Sequence, residues 1–431
     1  MWFTQTLSSI GSAVTIFVIN VWLAKDVYPL PHQRPTLALA LSSVSIVFFL
    51  ASMLAAPIAG AYADRSDRRR MMTLANLING LNSLLILLGV ATGHLNLFLL
   101  LPLIAINAVV DSFHIFAFET SYVSIVQKAQ LSRVNGMMQT SRSLRGILAP
   151  PIAAFLVALP LIAVNARGGS APNPQSGVMA AVFIDMVTFF ISAAALSVLP
   201  IPSPKPNLDA HKNVWHGLRF GWNYIWGRRP LFWFLCVFSA TNLAIGLVSV
   251  MNLLVVKEGV HETWKYFGLT FEQAYALLGS VGAIGGLLGG VVMGIWGGLK
   301  KQKVRAVFCA LCVIGLGFGL YISSTFVGVV IGVFLSVFSI PIMAAHSQSI
   351  WQSQVPPEMQ GRVFAVRKLI AQWTAPLGNL LAGVLGGLLP PTAVVATVGF
   401  MLLITVVIQW VGRGGANVED FEHLESLAKD R

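Results

Sequence analysis

The sequence is short of charge, of cysteine, and of any motif that holds a nucleotide or a metal. Only 10% of its 431 residues are Asp, Glu, Lys or Arg, against about 25% in soluble domains. A soluble fold has no place to bury the 56% that are hydrophobic, so a soluble enzyme or soluble binding domain is excluded. Three cysteines are too few for a disulfide framework. Cys309 and Cys312 form a C-x-x-C inside an apolar helical run, without the strand–helix context of a redox motif, and packing accounts for them. The eight histidines are scattered. Apart from His211 and His216 none stands at ligand spacing from another, so no metal or other cofactor is expected. The glycines from Gly279 to Gly294 lack the G-K-[ST] and preceding strand of a phosphate loop. ATP-binding motifs are absent, and no nucleophile–base pair marks an enzyme. No basic leader or A-x-A-like cleavage site precedes the first apolar run, which reads as a retained span.

What is present is a succession of apolar runs, each long enough for the roughly 20 residues that cross a bilayer as a helix. Twelve are expected, at 2–24, 36–63, 71–91, 96–125, 136–163, 178–199, 231–256, 271–298, 304–322, 325–350, 362–389 and 391–412. The fold class is therefore all-α, a polytopic membrane protein. Its organisation reads as an N-terminal six-span half (1–199), a linker (200–230), a C-terminal six-span half (231–412) and a tail (413–431).

The net charge of +12 does not point to nucleic acid. With twelve spans, Lys25, Arg34, Arg167, Lys257 and Lys265 fall on one side and the other 23 of the 28 basic residues on the opposite side. The positive-inside rule then places both termini and the linker in the cytoplasm. The linker opens with the breaker IPSPKPN. It continues with Trp215, Leu218, Trp222, Ile225 and Trp226 at helical spacing, with Lys212, Arg219, Arg228 and Arg229 nearby. That pattern predicts an amphipathic helix lying on the membrane surface. The small-residue stripe Gly279, Gly282, Gly285, Gly286, Gly289, Gly290 and Gly294 predicts close helix packing, with sliding during a working cycle.

The run GAYADRSDRRR, Gly60 to Arg70, packs four arginines and two aspartates into the seven residues from Asp64. Such a cluster must be an aqueous turn between the second and third spans. GIWGGLKKQKVR, after the eighth span, repeats a glycine-rich exit followed by Lys300, Lys301, Lys303 and Arg305. A degenerate turn six spans later is what two parallel halves produce.

The first turn resembles the loop between helices 2 and 3 of the major facilitator superfamily. SRVNGMMQTSRSLRGILAPP, FIDMVTFFISA, GLRFGWNYIWGRRPLF and above all IWQSQVPPEMQGRVFAVRKLIAQWTAPLGNLLAG resemble its macrolide-efflux and enterobactin-exporter-like branch. The resemblance implies a twelve-helix secondary transporter working by alternating access and exporting a small amphipathic compound, drug or siderophore-like, coupled to protons. It implies a monomer in a bacterial-type inner membrane. It also implies that Gly60, Asp64, Arg65, Arg68 and Arg69 form a gate whose aspartate meets the start of the eleventh span near Arg362. The chain departs from the family at Asp67, where a glycine is usual. It also departs in the fifth span, where Gly146, Ala149, Pro150 and Ala153 or Ala154 stand for a glycine-richer antiporter pattern, and in lacking an arginine of the second motif in the fourth span.

Charged groups at hydrocarbon depth cost about 2.5–3.5 kcal/mol each, so each asks for a reason. Asp111 lies near the middle of the fourth span, with His114 on the same face three residues on. Glu119 is about 12 Å further along the axis at 1.5 Å per residue. Arg142 and Arg145 enter the fifth span at a depth similar to Glu119. Glu119 with one of these arginines reads as a structural ion pair or a functional one. Asp111 with His114 reads as a proton or substrate site in a wet cavity, or as a polar contact in the bundle. Asp185, in the sixth span, reads as a helix-packing hydrogen bond or a proton site. Competing functions are a lipid or lysophospholipid transporter, an uptake permease, and, of a different class, a membrane-embedded enzyme or non-transporting scaffold. An embedded enzyme would need clustered catalytic residues at one face, and a scaffold would not need the repeated turn.

Overall fold

A computed structural model describes residues 2–63, 66–125, 141, 143–159, 176–199 and 214–411. Those residues are helical apart from short turns. The helices are α1 (Trp2–Trp22), α2 (Arg34–Ala63), α3 (Arg68–Ala91), α4 (Leu97–Ile125), α5 (Ser143–Leu159), α6 (Ser176–Val198), α7 (Val214–Gly227), α8 (Arg229–Leu254), α9 (His261–Lys265), α10 (Phe271–Trp296), α11 (Lys303–Gly319), α12 (Phe326–Gln354), α13 (Pro357–Leu388) and α14 (Pro391–Val411). Eleven helices among the described residues are long and apolar enough to cross a membrane; α5 is a shorter apolar stretch. Large side chains such as Phe98 and Ile295 stand exposed on them, as lipid-facing residues do.

Local chemistry explains the helix ends. Asp67 caps α3, its Oδ1 accepting from Arg69 N at 3.0 Å and Arg70 N at 3.2 Å, and Thr325 Oγ1 caps α12 by accepting from Gly328 N. Prolines open α8 and α13, where the missing N–H is no loss. Pro57, Pro102, Pro341 and Pro376 lie inside helices, as neighbouring helices permit in membranes.

Two spans run past their expected ends. α1 continues as a π turn, Leu23–Val27, and α8 as another, Val255–Gly259. α13 begins at Pro357 rather than 362, and α12 reaches Gln354 rather than 350.

The chain divides into two compact units. One is Met1–Ala210 with Glu272–Ser280; the other is His211–Phe271 with Val281–Arg431. In the first, α3 packs on α4 and α6, and α1 on α6; in the second, α11 packs on α12 and α14, and α8 on α14. The packing scheme and the π turn therefore recur, and so does the residue pattern in the turn: LAKDV in one, VVKEG in the other.

α7 packs on α13 and buries Tyr224 and Ile225, with Tyr224 Oη donating to Gln354 O at 2.9 Å. The apolar stripe expected from sequence is split. Trp222 and Trp226 stack at 5.7 Å and stay 44% and 50% exposed, leaving an aromatic face for lipid.

The glycine stripe of α10 is used unevenly. A Cβ on Gly285 would lie 2.8 Å from Phe334 O, and one on Gly289 would lie 2.0 Å from Phe338 O, whereas one on Gly290 or Gly294 would meet nothing within 4 Å. Gly289 is thus where α10 and α12 touch backbone to backbone. Gly289→Ala is expected to lower the stability of the detergent-solubilised protein by about 1–3 kcal/mol. Gly290→Ala on the same helix should leave the thermal midpoint unchanged; equal losses in the two variants would refute this packing.

The turn after α10 is pinned from inside the second unit. Gly298 has φ +77°, a backbone that favours glycine, and a Cβ there would lie 2.7 Å from His346 Nε2. His346 is buried. Its Nε2 accepts from Leu299 N at 2.9 Å, so Nδ1 carries the proton that it gives to Ile342 O at 2.8 Å.

Candidate functional site

The third span carries three asparagines, Asn76, Asn79 and Asn82, at i, i+3 and i+6, one face of a helix. All three are buried. Asn82 Nδ2 donates to Leu103 O at 3.0 Å. Asn79 Nδ2 donates to Asp111 Oδ1 at 3.0 Å, and Asn79 Oδ1 accepts from Asn107 Nδ2 at 3.3 Å. The asparagines of α3 therefore reach across to α4 and orient its carboxylate. A stripe of amides in an apolar span was the available sequence signal for this, and sequence reasoning passed it over.

Asp111 opens on a cavity of about 420 Å³ inside the first unit. Gln5, Asn76, Asn107, His114 and Arg145 share its wall, from α1, α3, α4 and α5. The structure thus brings together Asp111, His114 and Arg145, three of the residues singled out from sequence. His114 Nε2 is buried without a hydrogen-bond partner, and so are Gln5 Nε2 and Asn76 Nδ2. These atoms are shielded from the open space, so their residues carry an unmet hydrogen-bonding demand just behind the cavity wall.

Asp185 is held differently. It is buried, and its two oxygens accept from Ser12 Oγ at 3.1 Å and Ser83 Oγ at 3.3 Å. The carboxylate thereby ties α1, α3 and α6 together. Gly11 lets it approach, because a Cβ at Gly11 would lie 3.0 Å from Asp185 Oδ1. Asp185 is not among the residues lining the cavity. Glu119 stands exposed on α4, away from that wall.

At the α2–α3 turn, a Cβ on Gly60 would lie 3.7 Å from the Phe116 ring, ordinary van der Waals contact. Arg68 Nε donates to Ala63 O at 3.3 Å and Arg69 Nη1 to Ser197 O at 3.4 Å, so both arginines fasten the turn to helix ends. Asp67, the departure from the family pattern, has its reason in the cap on α3 and in a 3.5 Å ion pair with Arg70. Asp64, Arg65 and Arg142 lie outside the described residues, as does the side chain of Arg362 in the early turns of α13.

The opposite ends of α1 and α10 hold a contact not foreseen from sequence. Lys25 in the π turn pairs with Glu272, a segment that belongs to the first unit. Nearby Phe17 stacks on Tyr275 at 4.7 Å, and Ser280 Oγ donates to Ile147 O at 3.2 Å.

Membrane-crossing helices, a polar cavity walled by several of them and a recurring half-scheme define a transporter rather than an enzyme. The chain belongs to the major facilitator superfamily, matching it over residues 1–379, and is a multi-pass membrane protein. Macrolide efflux protein A of Streptococcus pyogenes is 22% identical over 386 residues, covering 89% of this chain and 87% of that one. Macrolide efflux protein A of Enterococcus faecalis is 21% identical over 340 residues, covering 78% and 98%. Among solved structures, a bacterial homologue of the iron transporter ferroportin in an inward-facing state has a TM-score of 0.67 at 15% identity, covering 97% of each chain. A bacterial homologue of the human lysosomal transporter Spinster, inward-facing and unoccupied, has a TM-score of 0.61 at 14% identity, covering 100% and 98%. Likeness at that identity speaks to the fold alone.

Proposed function

We propose that the protein is a secondary active exporter of small amphipathic compounds, working by alternating access and driven by protons exchanged at Asp111. The observation that carries this reading is the Asn107–Asn79–Asp111 relay opening on a polar cavity with Arg145 in its wall. A carboxylate fixed by one amide and facing a wet space can take up and release a proton. When it does, the attraction between Asp111 and Arg145 changes, and with it the balance between two conformations of the site. The two macrolide efflux relatives support export as the direction, and an amphipathic solute is the reading taken from their likeness.

The test is export in inverted membrane vesicles with a panel of amphipathic compounds. Accumulation should require an imposed proton gradient and collapse with an uncoupler. Accumulation that survives the uncoupler sinks the proton drive; no movement of any compound sinks export.

The same reading places both termini in the cytoplasm of a bacterial-type inner membrane, with the chain acting as a monomer. The placement of the termini rests on the distribution of the 28 Lys and Arg residues. A cysteine introduced in segment 164–177 is expected to react with an impermeant maleimide added outside intact cells. Reaction only from the cytoplasmic side would invert the topology.

A further inference from the structure

The second unit contains a half-buried cation at the end of a span that nothing assigned so far uses. Arg367 lies about 15 Å along α13 from its start, at 1.5 Å per residue, one residue past the beginning of the apolar stretch Val366–Leu388 and so near the end of that span. Its hydrogen-bond partners are neutral. Nη1 donates to Gln348 Oε1 at 2.7 Å and Nη2 to Ser347 Oγ at 3.2 Å. The guanidinium lies 5.1 Å from the ring centre of Trp351 and 5.8 Å from that of Phe238. Among the described residues no carboxylate pairs with it.

Gln348 and the two rings orient the guanidinium without neutralising it. Dipoles and π faces help a cation, but a half-buried charge whose hydrogen-bond partners are all neutral is better satisfied by a counter-charge. Two of the five N–H donors of an arginine are occupied in these hydrogen bonds, which leaves donors for a further acceptor.

That acceptor has room. A cavity of about 440 Å³ is lined by Phe238, Asn242, Gln348, Phe364, Arg367 and Lys368, with Ala371. It carries two cations and no acidic residue. Phe238 and Phe364 supply an apolar wall beside them. Asn242 Nδ2 is turned to Phe238 O at 3.1 Å. A guanidinium presents parallel N–H groups that fit two oxygens of a carboxylate or phosphate, and the aromatic wall suits a hydrocarbon portion next to that head.

We infer that this pocket binds the anionic head, carboxylate or phosphate, of an amphiphilic molecule. As a statement about the exported solute this rests on the transport reading above; as a binding site it stands by itself. The head could belong to a diffusing solute or to a membrane phospholipid, and the two sources are separable.

The full-length protein is placed in phosphatidylcholine nanodiscs, and binding of radiolabelled octyl phosphate is measured by equilibrium dialysis, with empty nanodiscs subtracted. Wild type is expected to bind it saturably at one per chain, and octyl glucoside at least about tenfold more weakly, as loss of a charge-assisted pair implies. Arg367→Gln should weaken octyl phosphate binding by about tenfold or more.

Gln348→Glu is the second arm. It gives Arg367 an internal counter-charge, so it should abolish octyl phosphate binding while the thermal midpoint stays at or above that of wild type. A merely structural Gln348 would instead lose midpoint and leave anion preference intact. If Arg367→Gln does not fold, Gln348→Glu decides alone. Phosphatidylglycerol in the nanodisc displacing octyl phosphate, only when Arg367 is present, supports a lipid as the source of the head. Undiminished octyl phosphate binding in phosphatidylglycerol discs supports a diffusing solute. Equal binding of octyl phosphate and octyl glucoside, or wild-type binding by Gln348→Glu, overturns the site. Dialysis needs no gradient, so a protein that binds octyl phosphate but exports nothing refutes the transport reading and leaves this one standing.

Discussion

Asp111→Asn is expected to abolish gradient-driven export while leaving downhill exchange of solute intact. The amide keeps the size of the carboxyl group and still offers an oxygen to Asn79 Nδ2, so the 3.0 Å contact between α3 and α4 survives. What goes is the ability to hold a proton. In inverted vesicles the ratio of export with and without a proton gradient should fall to one, from a wild-type ratio well above it. Counterflow of solute in the absence of a gradient is the control, and it should persist. If the variant still concentrates solute against its gradient, coupling lies elsewhere, and Asp185 and Glu119 are then the groups to replace.

Asp185 should answer in the opposite way. Its oxygens satisfy Ser12 and Ser83, so its work is to join three helices. Asp185→Leu removes both acceptors. Ser12 retains Ser8 O at 3.2 Å as an alternative, whereas Ser83 has no second hydrogen-bond partner among the described residues. One orphaned buried hydroxyl costs about 1–3 kcal/mol. Thermal unfolding in detergent should therefore shift down clearly, with reduced yield from the membrane. Asp185→Asn keeps an acceptor and a donor that serine hydroxyls can meet, and should retain both stability and gradient-driven export. A stable Asp185→Asn protein that has lost its gradient dependence would reverse the roles of the two aspartates.

Much of the fold was legible because membrane-crossing helices announce themselves by length and polarity. Boundaries of α2, α6 and α14 fall within two residues of expectation. The site was legible in part. Asp111, His114 and Arg145 stood out because charge and imidazole are rare at that depth, and the cavity joins them. Asparagine is a quieter signal, since a single amide costs an apolar helix little; only the i, i+3, i+6 spacing of Asn76, Asn79 and Asn82 marks it. Arg367 was hidden for another reason: it sits in a segment, GRVFAVRK, whose basic residues read as a surface start of the span. The partner of Lys25 could not be foreseen at all. A π turn inserts one residue into the helix, so a wheel drawn at 3.6 residues per turn misplaces Lys25 by about 100°, and Glu272 is remote in sequence.

The allocation of Glu272–Ser280 to the first unit sets an order of events on the ribosome. Phe17, Lys25 and Ile147 are all synthesised before α7, yet the groups they touch, Tyr275, Glu272 and Ser280, emerge only with α10. The first six spans can enter the bilayer as they are made, but their unit cannot be completed until α7, α8 and α9 have followed. Until then it waits in the membrane with Pro150 exposed where Gly279 will settle, at 3.2 Å from the position of its missing Cβ.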